Sequence, residues 1–247
     1  MLEAGIVVPF YRHERAIAGL VAALKPLGLR CWLVDDGSGS QSAAVLNDLA
    51  ANEADWLTLV RLPVNLGKGE AVMAGFAAAA SAGCTHAVQI DADHQHRPSD
   101  IPRLLALAES RPDALITGIP VYDASVPKAR LYGRYATHVW VWINTLSLEI
   151  RDSMCGFRVY PLTTALNVWQ TSTIGRRMEF DTEIMVRMHW AGVTVLSLPT
   201  PVTYPADGVS HFKLWRDNLR ISWMHTRLFF GMLRRLPVLL ARRWSPR

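Results

Sequence analysis

Apolar positions follow two alternating rhythms along the chain. "GIVVPF" is a short β-branched run, and "RHERAIAGLVAALKPLG" after it carries apolar residues at helical spacing, closed by Pro26 and Gly28. A strand followed by a helix is predicted. The unit recurs as "CWLVDDGSGS" then "SAAVLNDLAAN", as "LTLVRLPVNLGKG" then "EAVMAGFAAAASAG", and as "HAVQIDADHQH" then "PSDIPRLLALAES". Such alternation predicts a mostly parallel α/β sheet with helices on its faces. A fifth strand is expected at "DALITGIPV", after which the rhythm changes. "RLYGRYATHVWVWINTLS" reads as a long aromatic-rich helix and "EIRDSMCGFRVYP" as irregular chain with a short strand. "FDTEIMVRMHWAG" reads as another helix, before the strand "VTVLSLP". No Gly/Ser-rich linker or internal repeat divides this stretch, so one domain over residues 1–210 is expected, with residues 211–247 as an appended helical segment.

That segment changes the picture of charge. Residues 211–247 hold nine Lys or Arg against Asp217, a net +8, while the preceding residues hold 17 basic and 20 acidic side chains, a net −3. At about 100° per residue, Lys213, Arg216, Arg220, Arg227 and Arg234 fall in one narrow stripe, with Trp215, Leu219, Ile221, Leu228, Phe229, Met232 and Leu236 elsewhere on the wheel. Pro237 is expected to end or kink the helix. Two readings stay open: an interfacial helix held against anionic lipid, or an ordinary helix packing its apolar side on the domain. Nucleic acid is not an expected partner, because the body is acidic and no recognised nucleic-acid module is present. No run reaches about 18 apolar residues, so membrane contact is expected to be peripheral. The acidic, strand-like start shows no export signal, and Cys31, Cys84 and Cys155 have no metal or disulfide spacing; a reducing, cytosolic setting is expected.

Ligands of a parallel sheet sit beyond the carboxyl ends of its strands, where this sequence places acids twice: Asp35 and Asp36 after "CWLV", Asp91 and Asp93 after "HAVQI". On extended backbone Asp91 and Asp93 would project to one side, and Gln95 continues it. Two carboxylates and an amide oxygen suit Mg²⁺ or Mn²⁺ with positions left for water and a diphosphate. The alternative is an Asp-rich turn. His94 and His96 could suggest zinc, yet no third nitrogen or sulfur ligand stands at a recognisable spacing. "DDGSGS" resembles the acidic end of a ribose-binding strand, but "PFYRHERA" has no glycines to cradle a pyrophosphate, which favours a nucleotide over a dinucleotide. In "NLGKGEAV", Lys68 is available for an anion, while Gly67 and Gly69 either admit a close ligand or only start a helix; the P-loop spacing is absent.

The motifs in order, "VVPFY", "VDDGSGS", "NLGKGEAVMAGF", "DADHQHRPSDIPRLL" and "DSMCGFRVYP", resemble the family 2 glycosyltransferases over roughly residues 5 to 210. The nearest branch is that of dolichyl-phosphate mannose synthases and related bacterial lipid-directed transferases. The resemblance implies a GT-A-type, Rossmann-like fold with helices on both faces of the sheet. It implies that Pro9 and Tyr11 line a base pocket, that Asp36 contacts the nucleoside, and that Asp91, Asp93 and Gln95 form the metal-binding D-A-D-x-Q. Arg158 matches a family arginine and, with Arg130 and Arg134, is a candidate for neutralising phosphates. "PFYRH" stands where the family has "PTYNE", which leaves the base open. In "YPADGVSHF" Pro205 and His211 replace the arginine and lysine usual in polyprenyl-phosphate enzymes.

The implied activity is metal-dependent, inverting transfer from a nucleotide-diphosphate sugar to a lipid-linked or polyprenyl-phosphate acceptor, in envelope glycan or glycolipid synthesis at the inner face of the cell membrane. A phosphate acceptor needs no base; for a hydroxyl acceptor "MEFDTE" offers Glu179, Asp181 and Glu183, of which Asp181 is the candidate, the alternative being an exposed or helix-capping acid. The rivals are a sugar-phosphate nucleotidyltransferase, which should carry a glycine-rich first turn, and a non-catalytic membrane adaptor that retains the fold.

Overall fold

The computed structural model describes residues 2–122, 128–202 and 213–244, without the side chains of 128–132, 243 and 244. Seven strands form one sheet: β1 (Ala4–Phe10), β2 (Cys31–Asp35), β3 (Leu57–Arg61), β4 (His86–Gln89), β5 (Leu115–Tyr122), β6 (Arg158–Pro161) and β7 (Val195–Val202). Their spatial order is β3-β2-β1-β4-β6-β5-β7. Every pairing is parallel except those of β6, which runs antiparallel to both β4 and β5. Among the described residues eight α-helices accompany the strands: α1 (Glu14–Leu24), α2 (Ser40–Asn52), α3 (Lys68–Ser81), α4 (Ile101–Ser110), α5 (Lys128–Thr145), α6 (Leu162–Thr171), α7 (Phe180–Trp190) and α8 (Leu214–Trp244).

Both faces of the sheet are covered, and the strand period of two divides each strand between two cores. In β1, Ile6, Val8 and Phe10 join Leu33 and the inner sides of α1, α2 and α4, while Val7 joins Val34 and α3, α6, α7 and α8. The right-handed crossover explains the split. Stepping from β1 out to β3 lays α1 and α2 on one face; reversing direction to reach β4 on the other side of β1 sends α3 across the opposite face. β1 and β4 are therefore neighbours whose following loops diverge, and a crevice opens at their carboxyl ends.

Two sequence expectations need correction. α6 was not foreseen, although Leu162, Ala165 and Val168 supply its buried side; it follows β6 without a break and starts at Pro161 with no side-chain cap to announce it. Pro237 does not end α8, which runs through it to Trp244. The last turns are held by tertiary contacts: Leu239 is buried, and Arg242 Nη1 donates to the carbonyls of His189 and Trp190 at 3.2 and 2.9 Å, satisfying the end of α7. With Met224, Leu228 and Met232 also buried in the α3-side core, the inner face of α8 is part of this body; each such side chain contributes about 1.5–3 kcal/mol. No helix among the described residues is long and apolar enough to cross a membrane.

Candidate active site

The crevice is lined by three loops that follow parallel strands and one that precedes the antiparallel strand. After β2, Asp35 and Asp36 are both buried. Asp35 accepts from Ser38 N at 3.0 Å and Arg61 Nε at 2.9 Å. The Asp36 carboxylate accepts from Leu66 N at 2.7 Å, Gly67 N at 2.9 Å and Asn65 Nδ2 at 2.9 Å. It thereby fixes the loop that leads into α3, through N–H groups that precede the helix. Burial still pushes the Asp36 carboxyl above its usual range, against the pull of those N–H groups. Gly67, at φ 108°, lies against Arg176 and Arg177, so "NLGKG" starts a helix and leaves no space for a side chain there.

Lys68, the first residue of α3, reaches back into the crevice. Its Nζ lies 2.8 Å from the Asp91 carboxylate and 2.6 Å from Asp181 Oδ2. Burial works against the ammonium charge, but Asp181 and Asp91 outweigh it and its pKa rises above the ordinary lysine value. Asp181 is buried at the start of α7. Its other oxygen accepts from Gln89 Nε2 at 2.9 Å. Burial opposes its ionisation, yet Lys68 and Arg158 prevail and hold the carboxyl below the usual range.

After β4 the chain turns over Ala92 and Asp93 rather than staying extended, so the expected strand-like alignment of Asp91 with Asp93 is corrected to a turn. The two carboxylates still share a neighbourhood: burial and then the Asp91 charge raise the Asp93 carboxyl. Gln95 stands beside them, half-buried, and its N–H closes the turn on Asp93 Oδ1 at 3.1 Å. His96 is a core residue, stacked on Phe157 with ring centroids 5.1 Å apart and its pKa lowered by burial, while His94 is exposed.

The fourth loop was legible only in part. β6 runs antiparallel, so the residues before it, "DSMCG", arrive at the same sheet edge as the residues after β4. A Cβ on Gly156 would sit 2.5 Å from Asp91 Oδ2 and 2.7 Å from Lys68 Nζ, which explains glycine there. Arg158, expected at phosphates, points inward instead. It is fully buried, and its guanidinium donates to Ser153 O at 2.7 Å, Asp181 O at 2.7 Å and Tyr160 Oη at 2.9 Å. It ties the loop before β6 to the start of α7, because a buried guanidinium must find carbonyl partners. Arg134 is likewise engaged, with Nε and Nη2 on Asp152 at 2.6 and 2.8 Å. The side chain of Arg130 and the "YPADGVSHF" motif from Pro205 to His211 lie outside the described residues.

Near the end of β1, Pro9 is buried beside Val34, past the end of the β4 ladder, where its missing N–H is tolerated. Tyr11 follows at the mouth with the Arg12 guanidinium 5.2 Å from its ring centre, and Arg12 takes φ 55°. His13 faces Asp91; burial lowers its pKa, against the raising effect of that carboxylate. Sequence reasoning overlooked Gln89, Asn65 and Asp152. Gln89 had a signal, a polar residue inside the apolar run of β4, while the other two become visible only once the loops meet.

Residues 5–167 match the model of glycosyl transferase family 2. The chain belongs to this family. It is a glycosyltransferase, and neither the nucleotidyltransferase nor the adaptor is retained. A chain from Methanocaldococcus jannaschii is 28% identical over 159 residues, covering 62% of this chain and 69% of its own length. An undecaprenyl-phosphate 4-deoxy-4-formamido-L-arabinose transferase from Enterobacter sp. strain 638 is 35% identical over 121 residues, 47% of this chain and only 36% of that enzyme. Glucosyl-3-phosphoglycerate synthase from Mycobacterium tuberculosis, solved with Mn²⁺ and UDP-glucose, superposes with a TM-score of 0.67 at 15% identity, over 95% of this chain and 79% of that one. The expected GT-A architecture is the one observed.

Proposed function

We propose that this family 2 transferase moves a sugar from a nucleotide-diphosphate donor to a lipid-linked phosphate, of the polyprenyl-phosphate type, with inversion at the anomeric carbon. The observation that carries the choice of acceptor is the state of Asp181. Both of its oxygens are already engaged, by Lys68 and Gln89, and its carboxyl is held below the usual range, so it is a poor general base. An anionic phosphate oxygen needs none. It forms the new bond to C1 while the C1–oxygen bond to the donor diphosphate breaks, and the electron pair leaves with the nucleoside diphosphate. The relatives named for undecaprenyl phosphate support the same acceptor class.

Asp91 and Asp93, with Gln95, fit a hard divalent cation: two half-buried carboxylates share one Lys68 ammonium with Asp181, and Asp93 is raised by burial and then by the charge of Asp91. Among the described residues no three His, Cys, Asp or Glu side chains form a complete cage, so Mg²⁺ or Mn²⁺ would share its ligands with water and the donor. When bound, such an ion neutralises diphosphate oxygens and stabilises the leaving group. In this reading Tyr11 and Pro9 border the nucleoside, Asp36 holds the loop that floors its pocket, and Arg158 positions Asp181. Lys68 orients Asp91. Arg134, held on Asp152, borders the acceptor side, and the enzyme works peripherally, at the inner surface of the membrane that supplies the acceptor.

Transfer from UDP- and GDP-sugars to undecaprenyl phosphate, assayed with Mn²⁺ or with a chelator, tests this. Asp93→Asn should lower kcat/KM by about 10²–10³ with the melting temperature unchanged. A variant as active as the parent, or transfer indifferent to chelation, would overturn the role given to the site.

A further inference from the structure

α5 and α8 pack together, and over the described side chains of α5, residues 133–145, the outer side exposes apolar surface without interruption by charge. From residue 133 to 145 the exposed positions of α5 are Gly133, Tyr135, Ala136, Val139, Trp140 and Ile143. A helix on a soluble surface ordinarily presents polar and charged residues there. Trp140 bridges to α8 by stacking on His225 and meeting Phe229 edge-on, with centroids 5.9 and 6.4 Å apart. On α8, Trp215, Leu219, Trp223, Phe230 and Leu233 fall within about 80° of the helical wheel. Trp215 is 82% exposed, Leu219 68% and Trp223 63%. Their side is distinct from the one carrying Met224, Leu228, Met232 and Leu239.

The basic residues of α8 divide the same way. Arg227 reaches the buried Glu183 at 2.9 Å and Arg242 caps α7, both structural. Arg216 and Arg234 are exposed on the flank of the apolar strip, and Lys213 is exposed just before the helix. Apolar and aromatic surface edged by cations that have no acidic side-chain partner among the described residues is complementary to an anionic bilayer. The strip also begins at the site. Tyr135 follows Arg134, which grips Asp152 in the loop whose Gly156 touches Asp91.

We propose that the joint outer face of α5 and α8 docks on an anionic lipid surface and presents the crevice to acceptor held in that surface. This rests on the lipid-linked acceptor proposed above and deepens it: the docking face is shared by two helices and is not a property of the tail alone. Truncating α8 would open the core, so point variants of the full chain are the test. Flotation with phosphatidylcholine vesicles, with and without phosphatidylglycerol, should show binding that anionic lipid strengthens about tenfold or more. The triple variant Trp215→Ser, Leu219→Ser, Trp223→Ser should lose about tenfold or more in partitioning at an unchanged melting temperature. The pair Tyr135→Ser, Val139→Ser on α5 should weaken it too, and Arg216→Gln with Arg234→Gln should remove most of the gain from phosphatidylglycerol. The proposal is overturned if the parent chain does not float, if these variants float as well as the parent, or if sedimentation shows a dimer that the triple variant abolishes. Transfer to detergent-dispersed acceptor separates the two ideas: the triple variant should match the parent there. A parent inactive in detergent would count against the acceptor while leaving the vesicle result to judge the docking face.

Discussion

The loop at 65–67 holds one buried acid and the first two turns of α7 hold two, by opposite means. Asp36 is surrounded by neutral donors, two backbone N–H groups and the Asn65 amide, all from three consecutive residues. Its carboxyl is raised. Asp181 and Glu183 in α7 are held by cations that reach across elements: Lys68 of α3 on one, and Arg227 of α8 together with Arg187 of the next α7 turn on the other. A set of hydrogen bonds made by adjacent residues forms with its own loop, whereas a charge cluster drawn from α3, α7 and α8 exists only when the domain is assembled. The first region is therefore locally determined, and the second acts as a clasp that fastens the late helices to the sheet.

Breaking the clasp should cost most. Glu183→Ala strands Arg187 and Arg227 without their partner and frees the N–H of Gly175, so urea unfolding should show a loss of about 3–5 kcal/mol. A loss under about 1 kcal/mol would mean that the arginines find water and that the clasp is dispensable. Next in size is the response to acid. His225 of α8 is buried against α5 and its pKa is lowered to about 4, with burial the cause. The unfolded chain then binds the proton first: stability is whole above pH 6.5 and falls by about 2–3 kcal/mol as pH drops towards 4. Asp36, its carboxyl raised, works in the opposite direction, while His13 and His96, both lowered by burial, add to the loss, so the His225 share is isolated by its own variant. Thermal melts of the parent and His225→Gln across that window should diverge; parallel curves would remove His225 from the account. Smallest is Asp36→Asn, which keeps the shape and one acceptor of the side chain and should cost about 1 kcal/mol. A change near that of Glu183→Ala would show the two regions to be equally global.

The same contrast governs how much could be read in advance. The strand and helix rhythm from Ala4 to Tyr122 was legible because βα units bury both strand faces and one helix side, and that pattern is printed locally. The acids after β2 and β4 could be placed at the strand ends for the same reason. The inward turn of Arg158 could not, since "CGFRVYP" carries no mark of strand direction. Parallel placement would have put Gly156 at the far end of the sheet; antiparallel pairing with β4 brought it against Asp91. Nor could "DADHQ" disclose its turn, because two residues of spacing read equally as extended chain.

The sequence by itself determined the alternating units, the family, the acids and lysine of the crevice, and the amphipathic basic character of the last helix, all of which follow from local periodicity and ordered motifs. Only the tertiary structure decided which partners those residues keep. Lys68 became the counter-ion of two aspartates, Arg158 an internal tie, and α8 at once a core element and an exposed strip. Such choices depend on burial and on contacts between residues far apart in the chain, where desolvation forces each charge to find a partner that spacing along the sequence does not reveal.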